Sequence, residues 1–226
     1  MLLQLNNITI GYEKPLASNF SAEVKDGELV LLVGRNGVGK STLLSALKNT
    51  LPPLAGEVAL QGVLIQSYSV QELSRRISIV NTSRPVLNSW SVYDLLENTV
   101  KASSVGEKGS ATRALELCKI TDLSAKLCDQ LSDGEFQKVM IARAIAQQTP
   151  LIIMDEPTSF LDVIYREQVL QIFKELKSTF GTTVVLSSHN FAPLLSEASQ
   201  VWVLNKGDIK VLKENLKEQR VIELMT

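Results

Sequence analysis

Short apolar runs recur along the chain, and their lengths set out the elements. Glu28–Val33, Leu151–Met154, Thr183–Leu186 and Val201–Leu204 are brief, rich in branched side chains and bounded by polar residues. Runs of this kind fit strands buried on both faces, and the longer stretches between them read as helices. Strands alternating with helices predict an α/β fold with a parallel sheet. Nearer the N-terminus the pattern loosens into partial alternation over Leu2–Ile10 and Phe20–Val24. Such alternation predicts antiparallel strands with one wetter face. The turn Lys25-Asp26-Gly27 leads from them into the first buried run. Gly56–Leu60 and Gly62–Ile65 predict a small hairpin, and Ile77–Val80 a further strand.

Between about 84 and 147 the strand pattern stops. Ser91 with Asp94 has the spacing of a cap at the head of a helix over Val92–Ala102. Ser110 is placed to cap Ala111–Lys119, and Phe136–Gln147 reads as a third helix. The expected organisation is one unit over 1–226, with a helical subdomain at about 84–147 inserted in the α/β core. No linker, low-complexity tract or internal repeat interrupts it.

Composition narrows the partners. Hydrophobic residues make up 45% and charged residues 21%, as in ordinary globular chains. A net charge of −1 speaks against a nucleic-acid or anionic-membrane surface held by bulk electrostatics. Two cysteines, Cys118 and Cys128, are too few for a disulfide framework and fit a reducing cytosol. No apolar run approaches the roughly 20 residues that span a bilayer. The N-terminal residues lack the charged and apolar regions of a signal peptide. A cytoplasmic location is expected.

The chemistry begins at Gly34–Thr42, which has the form G-x-x-x-x-G-K-S-T. It follows a predicted strand and precedes the predicted helix Leu43–Leu47, the context this phosphate loop requires. Gly34, Asn36, Gly37 and Gly39 let backbone N–H groups wrap an anion at a helix N-terminus. Lys40 is placed to reach the β- and γ-phosphates, Ser41 to ligate Mg²⁺, and Thr42 to line the same turn. Leu151–Glu156 is a buried strand ending in two carboxylates, which it delivers to the ligand crevice. Asp155 can hold Mg²⁺ there, and Glu156 can polarise a water aimed at the γ-phosphate. Ser132 and Glu135 form a capping box ahead of a helix, a geometry that serves the helix or a bound phosphate. His189, the only histidine, follows a strand and two serines, so it should reach the same sheet edge.

In this order the motifs resemble the nucleotide-binding subunits of ATP-binding cassette (ABC) transporters, and the resemblance covers nearly the whole chain. Gly34–Thr42 is similar to the family's Walker A, Leu131–Glu135 to its LSGGQ signature and Leu151–Glu156 to Walker B. Ser159–Asp162 is similar to the D-loop, and His189 to the switch histidine. The resemblance implies that Tyr12 stacks on adenine and that Lys40, Glu156 and His189 are catalytic. It implies that Ser132, Gly134 and Glu135 meet the nucleotide of a second copy, with Asp162 at the interface between the two. The implied ligands are ATP and Mg²⁺. The implied partners are a second copy in a head-to-tail ATP sandwich, a transmembrane permease and a substrate-binding protein, with no nucleic acid. The implied location is the inner face of the cell membrane, peripheral, through the permease.

Two departures stand out. Thr82 takes the place of the family's glutamine after Ile77–Val80, as the corresponding metal ligand. Asp133 and Glu135 replace a glycine and a glutamine of the signature. Both add negative charge where a phosphate is expected, which predicts weakened closure of the sandwich. Pro52–Val58 and Ser69–Ser78 look most like ATPase subunits of importers of ferric siderophores, haem or cobalamin. A soluble cassette ATPase of iron–sulfur assembly is the alternative. A nucleotide-binding module without turnover is disfavoured by the presence of both Glu156 and His189.

Overall fold

The computed structural model describes residues 1–226 apart from Thr82, Val86, Asn88, Ser89, Ser104, Val105, Gly106 and Phe160, and apart from the side chains of Val163, Ile164 and Thr179. The chain opens with strands β1 (Leu3–Gly11), β2 (Pro15–Val24) and β3 (Leu29–Gly34), then helix α1 (Lys40–Leu47). Strands β4 (Ala55–Leu60) and β5 (Val63–Leu64), helix α2 (Val70–Ser74) and strand β6 (Ile77–Val80) follow. Three helices come next: α3 (Val92–Ser103), α4 (Ser110–Leu117) and α5 (Asp133–Ala146). The chain then runs through β7 (Leu151–Asp155), α6 (Val163–Phe180), β8 (Thr183–Ser187), β9 (Gln200–Asn205), β10 (Asp208–Leu212) and α7 (Glu218–Met225).

Among the described residues these strands make two sheets. One has the order β2-β1-β4-β5 and is antiparallel throughout. The other has the order β10-β9-β3-β8-β7-β6, parallel except for the edge strand β10. Its central strands explain the unbroken apolar runs. Leu29, Leu31 and Val33 of β3 enter one core, and Val30 and Leu32 enter the other. The alternation repeats in β9, where Val201 and Val203 face one core and Trp202 and Leu204 the other. A period of two with both faces covered leaves no polar position inside the strand.

The first core is built with α3, α4, α5 and α6, and the second with α1 and the antiparallel sheet. The parallel sheet is therefore a partition. Its C-terminal strand ends collect on one edge, where Asp155 and Ser187 are register partners and Leu32, next but one before Gly34, pairs with Ser187.

Some local expectations change. Strand β2 begins at Pro15, earlier than Phe20, because Ala17 pairs with Ile10 and carries the hairpin back to Gly11. Ser110 does not cap α4. Gly109 holds the cap position at φ 88°, and the Ser110 hydroxyl donates to the Glu107 carbonyl at 2.6 Å in the turn before the helix. The cap at Ser91 is present, with its hydroxyl oxygen accepting from the Asp94 N–H at 3.1 Å. The short α2, the edge strand β10 and the terminal α7 add to the predicted set.

Candidate functional site

The turn between β3 and α1 is shaped by glycine. Gly37 has φ 75° and Gly39 φ 116°, a left-handed backbone that side chains with a Cβ resist. Gly39 is the N-cap residue of α1, and no side chain caps the helix there. Its first N–H groups face the cleft without a side-chain acceptor, and the helix dipole adds positive potential. The cleft is about 510 Å³ and is bounded by Tyr12, Asn36, Gly37, Gly39, Lys40, Ser41, Thr42, Asp155 and Glu156. Tyr12 follows directly on β1 and is 68% exposed, so its ring is a free platform at the cleft mouth.

Lys40 is buried, at 8% exposure. Its ammonium donates to the Gly34 carbonyl at 2.9 Å and to that of Arg35 at 3.4 Å. It also lies 3.8 Å from Glu156 Oε1. The other oxygen of Glu156 accepts from the His189 backbone N–H at 3.2 Å and lies 2.7 Å from His189 Nδ1. Glu156 thus stands between a fixed cation and an imidazole. Its own backbone has φ 49°, a left-handed conformation uncommon for glutamate. The turn is held by Ser159, whose N–H and hydroxyl both donate to the Glu156 carbonyl, at 3.2 and 3.0 Å.

Ser187 is a residue that motif reading passed over. Its hydroxyl donates to Asp155 Oδ1 at 2.6 Å and accepts from the Glu156 N–H at 3.0 Å. One hydroxyl therefore fixes the Asp155 carboxylate and the Glu156 backbone together. The available signal was its place, two residues before His189 at a strand end. Lys48 is another omission. It donates to Asn81 Oδ1 at 3.2 Å, and partial burial pulls its ammonium below the usual lysine range, against the attraction of Asp155.

The residues of the proposed signature lie apart from this cleft, at the N-terminus of α5. Ser132 is its N-cap in a complete capping box. The Ser132 N–H donates to Glu135 Oε2 at 2.8 Å, and the Glu135 N–H donates to the Ser132 hydroxyl at 3.3 Å. Glu135 also takes the Lys126 ammonium on both oxygens, at 3.0 and 3.1 Å. The Ser132 N–H, with Lys126 behind it, draws the Glu135 carboxyl down to about 2. Gly134 lies within the first turn. Asp162 is the N-cap of α6 and accepts from the Tyr165 N–H at 2.7 Å. Thr82 lies outside the described residues.

The donors suit a hard divalent cation. Among the described residues no three carboxylate, histidine or cysteine side chains converge as a metal cage. Instead the Asp155 carboxylate and the Ser41 hydroxyl are among the groups that border the cleft at the phosphate turn. Mg²⁺ keeps waters and phosphate oxygens as its other ligands, so a sparse protein shell of this kind fits it.

Residues 17–159 match the family described as ABC transporter. The chain is 33% identical over 97% of its length to the vitamin B12 import ATP-binding protein of Yersinia pseudotuberculosis, covering 88% of that protein. It is 31% identical over 92% of its length to the ferric enterobactin transport ATP-binding protein of Escherichia coli, covering 79% of it. A solved dimeric ATP-binding cassette in a post-hydrolysis state, bound to ADP and phosphate, superposes with a TM-score of 0.82 at 25% identity. That likeness covers 94% of this chain and 98% of the other. Phosphate turn, carboxylate pair and likenesses of this length agree, and the chain belongs to the ABC transporter family.

Proposed function

We propose that the chain is the ATP-hydrolysing subunit of a membrane importer whose cargo is of the ferric-siderophore, haem or cobalamin kind. The observation that carries the reading is the Glu156 carboxylate, set between Lys40 and His189 beside the glycine turn. The N–H groups of that turn and Lys40 hold the β- and γ-phosphates, and Tyr12 stacks on the base. Glu156 takes a proton from a water aimed at the γ-phosphate, and His189 orients both. Ser41 and Asp155 would hold Mg²⁺, which neutralises developing phosphate charge when bound.

Two copies complete the site. Ser132 and Gly134 of one copy face the γ-phosphate held by the other, and Asp162 lies at the seam. A dimeric solved relative supports this arrangement. No helix among the described residues is long and apolar enough to cross a membrane. A permease and a substrate-binding protein complete the assembly, with the chain at the cytoplasmic face. Relatives named for vitamin B12 and ferric enterobactin transport favour import over iron–sulfur assembly. Uptake of labelled cobalamin, haemin and ferric siderophore by cells lacking this gene tests the reading. Loss of one of the three, restored by the wild-type gene and not by Lys40→Ala, is expected; normal uptake of all three overturns the cargo class.

A further inference from the structure

The signature helix carries two acids where a phosphate should arrive, yet each acid meets its own cation. Glu135 is tied into the capping box and to Lys126. Asp133 meets Arg84, from the segment between β6 and α3, at 3.0 Å. The two pairs are built differently. Glu135 has several partners and is only 29% exposed, whereas Asp133 is 72% exposed and hydrogen-bonded to Arg84 alone among the described residues.

Arg84 is anchored independently of that carboxylate. Its second terminal nitrogen donates to the carbonyls of Cys128 and Leu131, at 3.0 and 2.9 Å. Its guanidinium carbon lies 4.7 Å from the centre of the Phe136 ring. An exposed ion pair by itself holds side chains weakly. A planar guanidinium fixed by two carbonyls and a ring is already oriented, so only the short carboxylate gives up rotamer freedom when the pair forms. The fixed partner is Arg84, and Asp133 follows it.

We infer that Arg84 is a positioning residue for the phosphate-binding end of α5. It draws the Asp133 carboxylate aside and offsets its charge, which leaves the Gly134 N–H receptive to the γ-phosphate of a second copy, beside the Ser132 hydroxyl that donates to Glu135 Oε2 at 2.9 Å. The inference rests on the sandwich reading above. It also revises the charge argument from sequence: Asp133 repels the phosphate only when Arg84 is absent. Arg84 is not among the residues bounding its own chain's cleft, so its effect falls on dimer closure and not on the first binding of ATP.

The test uses the full chain carrying Glu156→Gln, with Mg-ATP-dependent dimerisation followed by analytical ultracentrifugation and ATP affinity measured at dilutions where the chain is monomeric. Adding Arg84→Ala should weaken dimerisation about tenfold, the scale of one unpaired charge facing a phosphate, with monomer affinity unchanged within about twofold. In an Asp133→Gly background the same substitution should cost less than about threefold, because the repulsion it unmasks is gone. Arg84→Lys keeps the charge but loses the planar fork held by two carbonyls and a ring, so it should weaken dimerisation by about three- to tenfold, and it decides the matter where Arg84→Ala fails to fold. Equal dimerisation of Arg84→Ala and the parent overturns the inference. So does an undiminished loss in the Asp133→Gly background, which would make Arg84 only a strut beneath the helix. Dimerisation of a well-folded Arg84→Lys equal to that of the parent overturns it as well, since the guanidinium fork would then have no role. Absence of any ATP-driven dimer in the parent overturns the sandwich reading, and the inference with it.

Discussion

Glu156 holds His189 by two bonds to a single carboxylate oxygen, one from the backbone N–H and one at the ring Nδ1. A proton on Nδ1 is the state that lets the ring donate to a carboxylate, and it turns Nε2 toward the open side of the site. The imidazole is 60% exposed, so the Glu156 contact is what fixes its direction. His189→Ala should lower kcat by about a hundredfold or more, the range for a positioned polar group in a transition state, with ATP affinity little changed. Steady-state ATPase assays beside equilibrium binding check the split. A matching loss of affinity would mean that His189 acts on ground-state binding.

Replacing Glu156 by glutamine keeps the shape and removes the proposed base. Turnover should fall by about a hundredfold or more, since proton abstraction is then unassisted. ATP should remain bound, and the dimer should persist in Mg-ATP and separate when nucleotide is removed. Size-exclusion chromatography reads both. Hydrolysis at the wild-type rate would remove Glu156 from the role of base.

Among the described residues that bound the cleft, Lys40 is the only lysine or arginine. It is pre-placed by the Gly34 carbonyl, so its ammonium is fixed before phosphate arrives. Lys40→Ala should raise the Kd for ATP by about 100-fold, the scale of charge-assisted bonds to phosphate. Calorimetric titration measures this, and affinity near the wild-type value would refute the site.

Much of this site was legible because its parts are local. The glycine turn, the carboxylate pair after Ile153–Met154 and the Ser132–Glu135 box each occupy a few consecutive residues, and local geometry follows from local sequence. What remained hidden depends on distant pairs. Arg84 and Asp133 are 49 residues apart, and nothing in either neighbourhood names the other. Ser187 and Asp155 meet because β7 and β8 are adjacent in one register, which strand patterns alone do not fix. Strand β10 was missed because Asp208–Leu212 forms a half-exposed edge, where the apolar signal that marked the central strands is diluted. The chain spacing gave Ser110 the look of a cap, but the turn before α4 uses a left-handed Gly109 instead.

The two cysteines are free and buried. Burial pushes the Cys118 thiol up to about 12, so almost none of it is thiolate at neutral pH. Burial also raises the Cys128 thiol, and the neighbouring Asp129 adds to this. Neither should react with iodoacetamide in the folded chain over hours at pH 7.5, and both should react in denaturant. Mass spectrometry counts the additions, and rapid labelling of the native protein would contradict the packing around α4 and α5.

Ser187 supplies the last expectation, because it serves two residues with one hydroxyl. It donates to Asp155 at 2.6 Å and accepts from the Glu156 N–H at 3.0 Å. Ser187→Ala leaves the Glu156 N–H without its acceptor and frees the Asp155 carboxylate to turn. The strand should lose about 1–3 kcal/mol of stability through the unpaired N–H, which the fold can absorb. The loss should therefore appear in metal dependence. Partners that orient a metal ligand are worth about 10- to 100-fold in metal affinity, so the Mg²⁺ concentration for half-maximal ATPase should rise by about tenfold. Saturating Mg²⁺ should recover the part of the turnover lost through Asp155 and leave the part lost through the untethered Glu156 backbone. Ser187→Thr keeps the hydroxyl and should restore the wild-type Mg²⁺ requirement wherever its extra methyl is accommodated. An unchanged requirement in a folded Ser187→Ala would show that Asp155 is oriented without Ser187.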